Sequence, residues 1–143
     1  MPHEIHKERL YPVPIEDVWS VISDHRSLHR WLVPGMKVRL DPEGVPAPNG
    51  LGAIRVIEGW GVRVREEVVE YAPPTRLCYT VLSGFPLDNH LGQIDLSTRD
   101  NQTHLSWRVT FEPHIPGTGW LMYRIVNATF GQGLARLGRL LAQ

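Results

Sequence analysis

The sequence predicts an α+β fold in which a curved antiparallel sheet of seven strands packs around one long C-terminal helix. Three observations lead to this prediction. Much of the chain after residue 35 alternates apolar and polar residues, which is the period of a half-buried strand. Short turns join most of these segments, and short connections favour antiparallel pairing. The last part of the chain instead repeats apolar residues at helical spacing.

The chain begins with a predicted strand and two short helices. The strand covers His3 to Tyr11 and ends where the prolines that follow remove backbone donors. A helix is predicted from Ile15 to Ser23, because its first turn is acidic and its apolar residues recur at helical spacing. A second short helix, from about His25 to Trp31, ends before the Pro34-Gly35 dipeptide.

Six further strands are predicted after these helices. They cover residues 36–40, 53–58, 62–71, 77–82, 90–98 and 104–111. The segment Asp41–Gly52 contains three prolines and three glycines, so it is predicted as a loop. Gly59-Trp60-Gly61 is predicted as the turn between the third and fourth strands. Seven strands in this order form one antiparallel sheet.

The C-terminal helix is predicted to extend from an N-cap at Thr118 to about Ala142. One apolar stripe is predicted to face the sheet. It consists of Tyr123, Val126, Phe130, Leu134, Leu137 and Leu141. Gly131, Gly133 and Gly138 lie in the same helix, so we expect close packing on the sheet or a kink. A curved sheet around one helix rarely fills its interior, and we therefore expect a cavity between the two.

Length and composition limit the possible classes of function. The 143 residues have the length of a single domain, 1–143. Fifteen basic residues balance fifteen acidic ones, so the chain lacks the positive charge typical of nucleic-acid binding. No apolar run reaches the roughly 18 residues of a membrane span, and no signal peptide is visible. We expect a cytoplasmic protein with no nucleic-acid partner and no membrane span, either a monomer or a homodimer.

The seven histidines and the single cysteine do not form a recognisable chemical site. His3 and His6 would point to opposite faces of a strand. His25 and His29 could share a helix face, but no third ligand lies near them in the sequence. We therefore predict surface histidines and no metal. Cys78 lies in an alternating strand and is predicted to be a small core residue.

Several segments match one known family in their order and spacing. The first strand leads into YPVPIEDVWSVISD, the W and PG of HRWLVPGM follow, and GLGAIRV opens a later strand. VRVREEVVEYAPPTRLCYTVLSG and THLSWRVTFEP come next, before the glycine-bearing C-terminal helix. Over nearly the whole chain this order resembles the START-like helix-grip superfamily, also called SRPBCC. The most similar branch is the bacterial polyketide cyclase/dehydrase-like group.

This resemblance implies a hydrophobic tunnel for lipids, sterols, polyketides or other flat apolar molecules. It does not imply one reaction, because members include binding and transfer proteins, aromatase/cyclases and ring-hydroxylase subunits. The chain has no cysteine pair for the Rieske cluster of the last group, so we expect no cofactor. The leading hypothesis is a protein that binds a small hydrophobic ligand in an internal cavity.

Aromatic and amide side chains are the candidates for contact with such a ligand. The predicted ligand-binding residues are Trp31, Trp60, Tyr79, Trp107, Tyr123 and Asn127. The alternative for each aromatic residue is a position in the ordinary core. Asn127 borders the apolar stripe of the last helix, where its amide could meet a ligand carbonyl.

An enzyme of the polyketide cyclase/dehydratase type is the second hypothesis, with Arg65, Tyr79, Tyr123 and Asn127 as candidate catalytic residues. The strand from residue 62 decides whether Arg65 can take part. If its valines face inward, as we favour, then Arg65 and Glu67 are solvated; a shifted strand would bury them as a pair able to move a proton. A third hypothesis is a partner-binding subunit, which would expose Leu121 and Ile125 as an apolar patch.

Overall fold

The computed structural model describes residues 2–143. Within these residues the chain forms seven strands, two α-helices and one 3-10 helix. In chain order they are β1 His3–Tyr11, α1 Ile15–Ile22, the 3-10 helix His25–Arg30, β2 Lys37–Leu40, β3 Ile54–Gly59, β4 Val62–Ala72, β5 Arg76–Ser83, β6 Leu87–Arg99, β7 Gln102–Pro113 and α2 Gly119–Leu141.

All seven strands belong to one antiparallel sheet with the order β1-β7-β6-β5-β4-β3-β2. The predicted α+β fold, a curved sheet around a C-terminal helix, is confirmed. Most strand boundaries lie within two residues of the prediction, and the largest difference is at β6, which begins at Leu87 and not at His90. The register shifts between Asp88 and Leu91, and Asn89 there has a φ of 50°. Alternation is lost at such an irregularity, so the sequence pattern does not reveal this part of the strand.

The C-terminal half of α2 is fixed to the first strand and to the segment after the 3-10 helix. The hydroxyl of Tyr11 donates to the carbonyl oxygen of Leu134 at 2.9 Å. The Nε of Arg136 donates to the carbonyl oxygen of Trp31 at 2.8 Å. Gly133 is buried, and a Cβ built there would lie 2.8 Å from Cδ1 of Leu32. Among residues 2–143, no helix combines the length and the apolar character needed to cross a membrane.

The N-terminal half of α2 presents a different face from the predicted one. Gly119 and Met122 are buried there, whereas Tyr123 is 38% exposed. The ring of His3 occupies the space that a side chain at position 119 would need, so only glycine permits this approach. The buried stripe therefore passes through 119, 122 and 126, and Tyr123 lies beside it. Thr118 precedes the helix, but its hydroxyl donates to the carbonyl of Ile115 and forms no side-chain cap.

Candidate functional site

A cavity of about 310 Å³ lies between the sheet and α2. This volume is at the lower end of the range of small-molecule sites. Apolar side chains from β3, β4, β5, α2, the loop between β5 and β6, and the segment after the 3-10 helix form most of its wall. They include Leu32, Met36, Ile57, Val64, Val81, Phe85, Val126 and Phe130. The walls can therefore exclude water from an apolar molecule of small size.

Trp60 lies at the mouth of the cavity, on the two-residue turn between β3 and β4. It is 81% exposed, and its neighbours at the mouth, Val62 and Ile125, are also exposed. Trp60 has a φ of 54° and Gly61 a φ of 77°, the left-handed pair that Asn-Gly usually supplies in such hairpins. A tryptophan held in this region is conformationally strained, and strain of this kind is typical of functional positions.

A row of inward-facing residues brings charged and polar groups to the cavity wall. Arg55 on β3 is the register partner of Glu66 on β4, and Glu66 is the partner of Val81 on β5. The Nε of Arg55 donates to Oε1 of Glu66 at 2.7 Å. The side chains are only 3% and 13% exposed, and both residues line the cavity. The cavity therefore contains a buried ion pair.

Two further contacts cover the guanidinium of Arg55. Its Nη1 donates to Nδ1 of His25 at 3.3 Å, and its Cζ lies 4.3 Å from the ring centroid of Tyr79. Arginine only donates, so Nδ1 of His25 accepts and the proton lies on Nε2, which donates to the carbonyl of Asn49 at 2.9 Å. Burial, together with the charge of Arg55, lowers the pKa of His25 to about 3. His25 is therefore a neutral support for Arg55.

His90 supplies the second polar group of the cavity wall. The backbone N–H of Val81 donates to Nδ1 of His90 at 3.1 Å, so Nε2 carries the proton of the neutral ring. Burial lowers the pKa of His90, which favours this neutral form at neutral pH. The cavity wall thus offers an N–H donor from His90 and a carboxylate acceptor from Glu66.

Stacked aromatic rings support the wall on the side of α2. Phe130 lines the cavity and stacks on Trp107, with ring centroids 3.9 Å apart and an angle of 14° between the planes. The Nε1–H of Trp107 donates to the hydroxyl oxygen of Tyr79 at 3.1 Å. Burial raises the pKa of Tyr79 well above its usual value, so the phenol stays neutral. The stacked rings of Phe130 and Trp107 therefore form this side of the wall, and Trp107 holds the hydroxyl of Tyr79 in place.

The predicted ligand-binding residues occupy three kinds of position. Trp60 and Tyr79 line the cavity. Trp31 and Trp107 are buried behind its wall, 5.8 Å apart between ring centroids. Tyr123 and Asn127 lie on α2 outside the lining. Leu121 and Ile125 are 40% and 41% exposed, and Ile125 also belongs to the mouth.

The candidate catalytic Arg65 points away from the cavity. Val62 and Val64 line the cavity and Val68 is fully buried, which confirms the inward orientation favoured for the valines. Arg65 is the register partner of Val56 on the outer face. The residue that reaches the cavity from this strand is Glu66, which has the same alternation as the valines. Glu66 could have been found from the sequence, because it lies at an even spacing from the inward valines. In β3, Arg55 lies two residues from the inward Ile57 and could have been found in the same way.

The prediction of surface histidines is wrong for His25 and His90. Their exposures are 0% and 8%. His25 is buried because Asn49 accepts its ring proton and also accepts from its backbone N–H. His90 is buried because Val81 satisfies one ring nitrogen and Tyr79 packs on the ring at 5.5 Å between centroids. Both histidines are buried through tertiary contacts, which cannot be predicted from the local sequence pattern.

Other reactive groups lie elsewhere or form no cluster. Burial and the nearby carboxylate of Glu70 raise the pKa of Cys78 to about 11, so the thiol stays protonated and weakly nucleophilic. Cys78 is buried, as predicted for a small core residue. In the part of the chain that the structure describes, no three His, Cys, Asp or Glu side chains form a group that could hold a metal ion.

Comparison with known proteins gives a family and several structural neighbours. Residues 2–142 match the model of a family described as polyketide cyclase / dehydrase and lipid transport. A solution NMR structure from Thermobifida fusca is similar, with a TM-score of 0.81 and 26% identity over 96% of this chain and 92% of that chain.

Two further structures show the same fold at lower identity. The crystal structure of Ara h 8.0201 has a TM-score of 0.74 and 19% identity, and all of both chains is covered. CalU16 from Micromonospora echinospora has a TM-score of 0.72 and 18% identity over 98% of this chain and 76% of that one. No curated protein matches the chain.

Proposed function

This chain belongs to the polyketide cyclase / dehydrase and lipid transport family, and we propose that it binds a small, flat apolar molecule in the cavity between the sheet and α2. The observation that carries the proposal is the apolar cavity of about 310 Å³ with an open mouth. Family and fold support binding of hydrophobic molecules in general. Transfer of apolar surface from water to such a wall is the driving force.

The shape of the wall favours a flat ligand. Phe130 lines the cavity, and its stacking on Trp107 restricts the movement of its ring. Aromatic faces pack best against other flat molecules in offset or parallel arrangements. Trp60 stands at the mouth, where it can cover the outer end of a bound molecule. A compact flat molecule would therefore contact both an inner and an outer aromatic ring.

Two measurements on the purified protein test this proposal. Native mass spectrometry, with the denatured extract beside it, should identify any apolar molecule that co-purifies in the cavity. Titration with the neutral fluorophore N-phenyl-1-naphthylamine should show saturable binding at one site per chain, and binding should release any co-purifying mass. Non-saturable fluorescence that follows only protein concentration would overturn the proposal.

A second candidate function is catalysis in the same cavity, of the cyclase/dehydratase type. The observation in its favour is that Glu66 and His90 place a carboxylate and a neutral imidazole at the cavity wall. Such a pair can accept and donate protons to a bound carbonyl compound. Incubation of an identified ligand should then produce a new mass, and a folded Arg55→Leu/Glu66→Leu double variant, which removes the carboxylate together with its cation, should abolish it. An unchanged ligand with the wild-type protein would leave binding as the function.

A further inference from the structure

We propose that Glu66 and His90 form a polar subsite that selects neutral, hydroxyl-bearing apolar molecules and rejects carboxylates of the same size. The inference rests on the proposed function, because it concerns a ligand in the same cavity. It adds a chemical group to that ligand and assigns the two side chains that recognise it. Three features of the wall support it: a cation already paired with Glu66, an open donor–acceptor pair, and the repulsion between the Glu66 carboxylate and a ligand anion placed beside it.

The first feature is that the cavity offers no free positive charge. Arg55 is the single cationic residue among those that line it. Its Nε is bonded to Glu66 at 2.7 Å, its Nη1 to His25 at 3.3 Å, and one face of the guanidinium lies over Tyr79. An anionic ligand would have to compete with Glu66 for this cation, and separating a buried ion pair is expensive.

The second feature is an open acceptor on β4 and an open donor on β6, the two strands that flank β5. Oε1 of Glu66 accepts from Arg55, whereas Oε2 forms no hydrogen bond with any of residues 2–143. Nδ1 of His90 accepts from Val81, and Nε2 has no hydrogen-bond partner within the same residues. Val81 connects the two side chains, because it is the register partner of Glu66 and its N–H binds His90.

These two groups match the hydrogen-bonding capacity of a hydroxyl. A hydroxyl donates one hydrogen bond and accepts others, so it can donate to Glu66 and accept from His90. A hydrogen bond that includes a charged carboxylate is stronger than one between neutral groups. A methyl group would leave both partners unsatisfied in a dry cavity. A carboxylate could accept from His90 but would place a second negative charge beside Glu66.

A matched series of naphthalenes tests the proposal on the wild-type protein. The competitors are 2-naphthol, 2-methylnaphthalene and 2-naphthoate, each displacing N-phenyl-1-naphthylamine at pH 7.5. At this pH the phenol is neutral and the carboxylic acid is ionised. We expect 2-naphthol to bind about tenfold more tightly than 2-methylnaphthalene. We expect 2-naphthoate to bind about tenfold more weakly than 2-methylnaphthalene.

Two variants assign the selectivity to the subsite. Glu66→Gln alone would leave Arg55 buried without its partner, so we combine Glu66→Leu with Arg55→Leu, which replaces the ion pair by apolar groups of similar volume. In this double variant, 2-naphthol and 2-methylnaphthalene should bind equally within about twofold. Glu67→Gln is the matched control, because Glu67 is the adjacent residue on the outer face of the same strand. It should keep the full wild-type order.

The outcomes separate this inference from the function on which it rests. Displacement by all three compounds with 2-naphthoate as tight as 2-naphthol overturns the inference and leaves cavity binding intact. An unchanged order in a folded double variant also overturns it, because the selectivity would then come from other groups. Failure of the fluorophore and of 2-methylnaphthalene to bind overturns the proposed function itself.

Discussion

At position 55 the chain places an arginine where the alternation of β3 would put an apolar side chain. Arg55 is buried, and its charge is satisfied by Glu66, by His25 and by the face of Tyr79. A buried ion pair contributes little to stability compared with apolar residues of the same size. Its presence in a cavity wall therefore indicates a role in recognition or chemistry more than in folding.

Loss of Arg55 alone should be severe. Arg55→Met leaves the carboxylate of Glu66 without its cation, so we expect a loss of about 3 to 5 kcal/mol in the free energy of unfolding. Arg63→Met is the control, because Arg63 is 65% exposed and pairs with Glu58 at the surface. Its loss should stay below about 1 kcal/mol. Equal losses in urea unfolding would mean that the Arg55–Glu66 pair is solvated.

Substitution of Trp60 should change stability and ligand binding in opposite directions. Asparagine adopts the left-handed conformation more readily than tryptophan, so Trp60→Asn should raise the free energy of unfolding by up to about 1 kcal/mol. The same change should weaken N-phenyl-1-naphthylamine binding about threefold or more, because one aromatic contact at the mouth is lost. Trp120→Ala removes an exposed tryptophan outside the cavity lining and should leave affinity unchanged. Equal affinity of Trp60→Asn and the wild type would exclude Trp60 from the site.

At the scale of elements, α2 is positioned by its glycines. A Cβ at Gly133 would lie 2.8 Å from Cδ1 of Leu32, whereas one at Gly131 would meet only the end of the Lys7 side chain, with Nζ at 3.5 Å and Cε at 3.8 Å. Gly133→Leu should therefore lower the free energy of unfolding by about 1 to 3 kcal/mol through overpacking. Gly131→Ala should raise it by up to about 1 kcal/mol, because alanine is the better helix former. Thermal unfolding of both variants checks the orientation of α2, and a neutral Gly133→Leu would contradict it.

The elements with strong periodicity were the ones that could be predicted. The period of two in β4 and β7 and the helical period of α2 follow from burial on one face, so sequence alone located them. The family resemblance of the ordered motifs is confirmed over residues 2–142. The irregular start of β6 and the face of the first turns of α2 depend on Asn89 and on His3 against Gly119. Those are contacts between distant segments and leave no periodic signal.

The candidate site was less predictable than the fold for the same reason. Trp60 and Tyr79 were predicted as ligand contacts, and they line the cavity. Glu66 and His90 were not, because charged and titratable side chains are ordinarily assigned to the solvent face. Alternation already placed Glu66 with the inward valines. The burial of His90 depends on its hydrogen bond from Val81 on the neighbouring strand, and the sequence of β6 alone gives no sign of that contact.

At the scale of the whole molecule, the buried histidines predict how stability depends on pH. The folded protein holds the pKa of His25 at about 3, below its ordinary value of 6.5. Between these values the unfolded chain binds more protons than the folded protein. The contribution of His25 to the free energy of unfolding is therefore fully present above pH 6.5 and is lost as the pH falls toward 3. The slope from one such histidine approaches about 1.4 kcal/mol per pH unit, and His90 shifts in the same direction.

Urea unfolding between pH 7.5 and 5.5 measures this slope. His25→Gln should lower it, because one group that binds an extra proton on unfolding is removed, whereas His90 keeps its part of the slope. His29→Gln, an exposed histidine in the same 3-10 helix, should leave it unchanged. A wild-type slope that persists in His25→Gln would show that other groups cause the acid sensitivity.

The cavity between the sheet and α2 is the proposed binding site, and a large side chain placed inside it should block binding. Val64→Trp places a large side chain inside the cavity, whereas Val69→Trp places the same side chain on the exposed outer face of β4. Titration with N-phenyl-1-naphthylamine should show at least about a tenfold loss of affinity for Val64→Trp and wild-type affinity for Val69→Trp, with both proteins folded by circular dichroism. Wild-type affinity in a folded Val64→Trp protein would mean that the fluorophore binds outside this cavity.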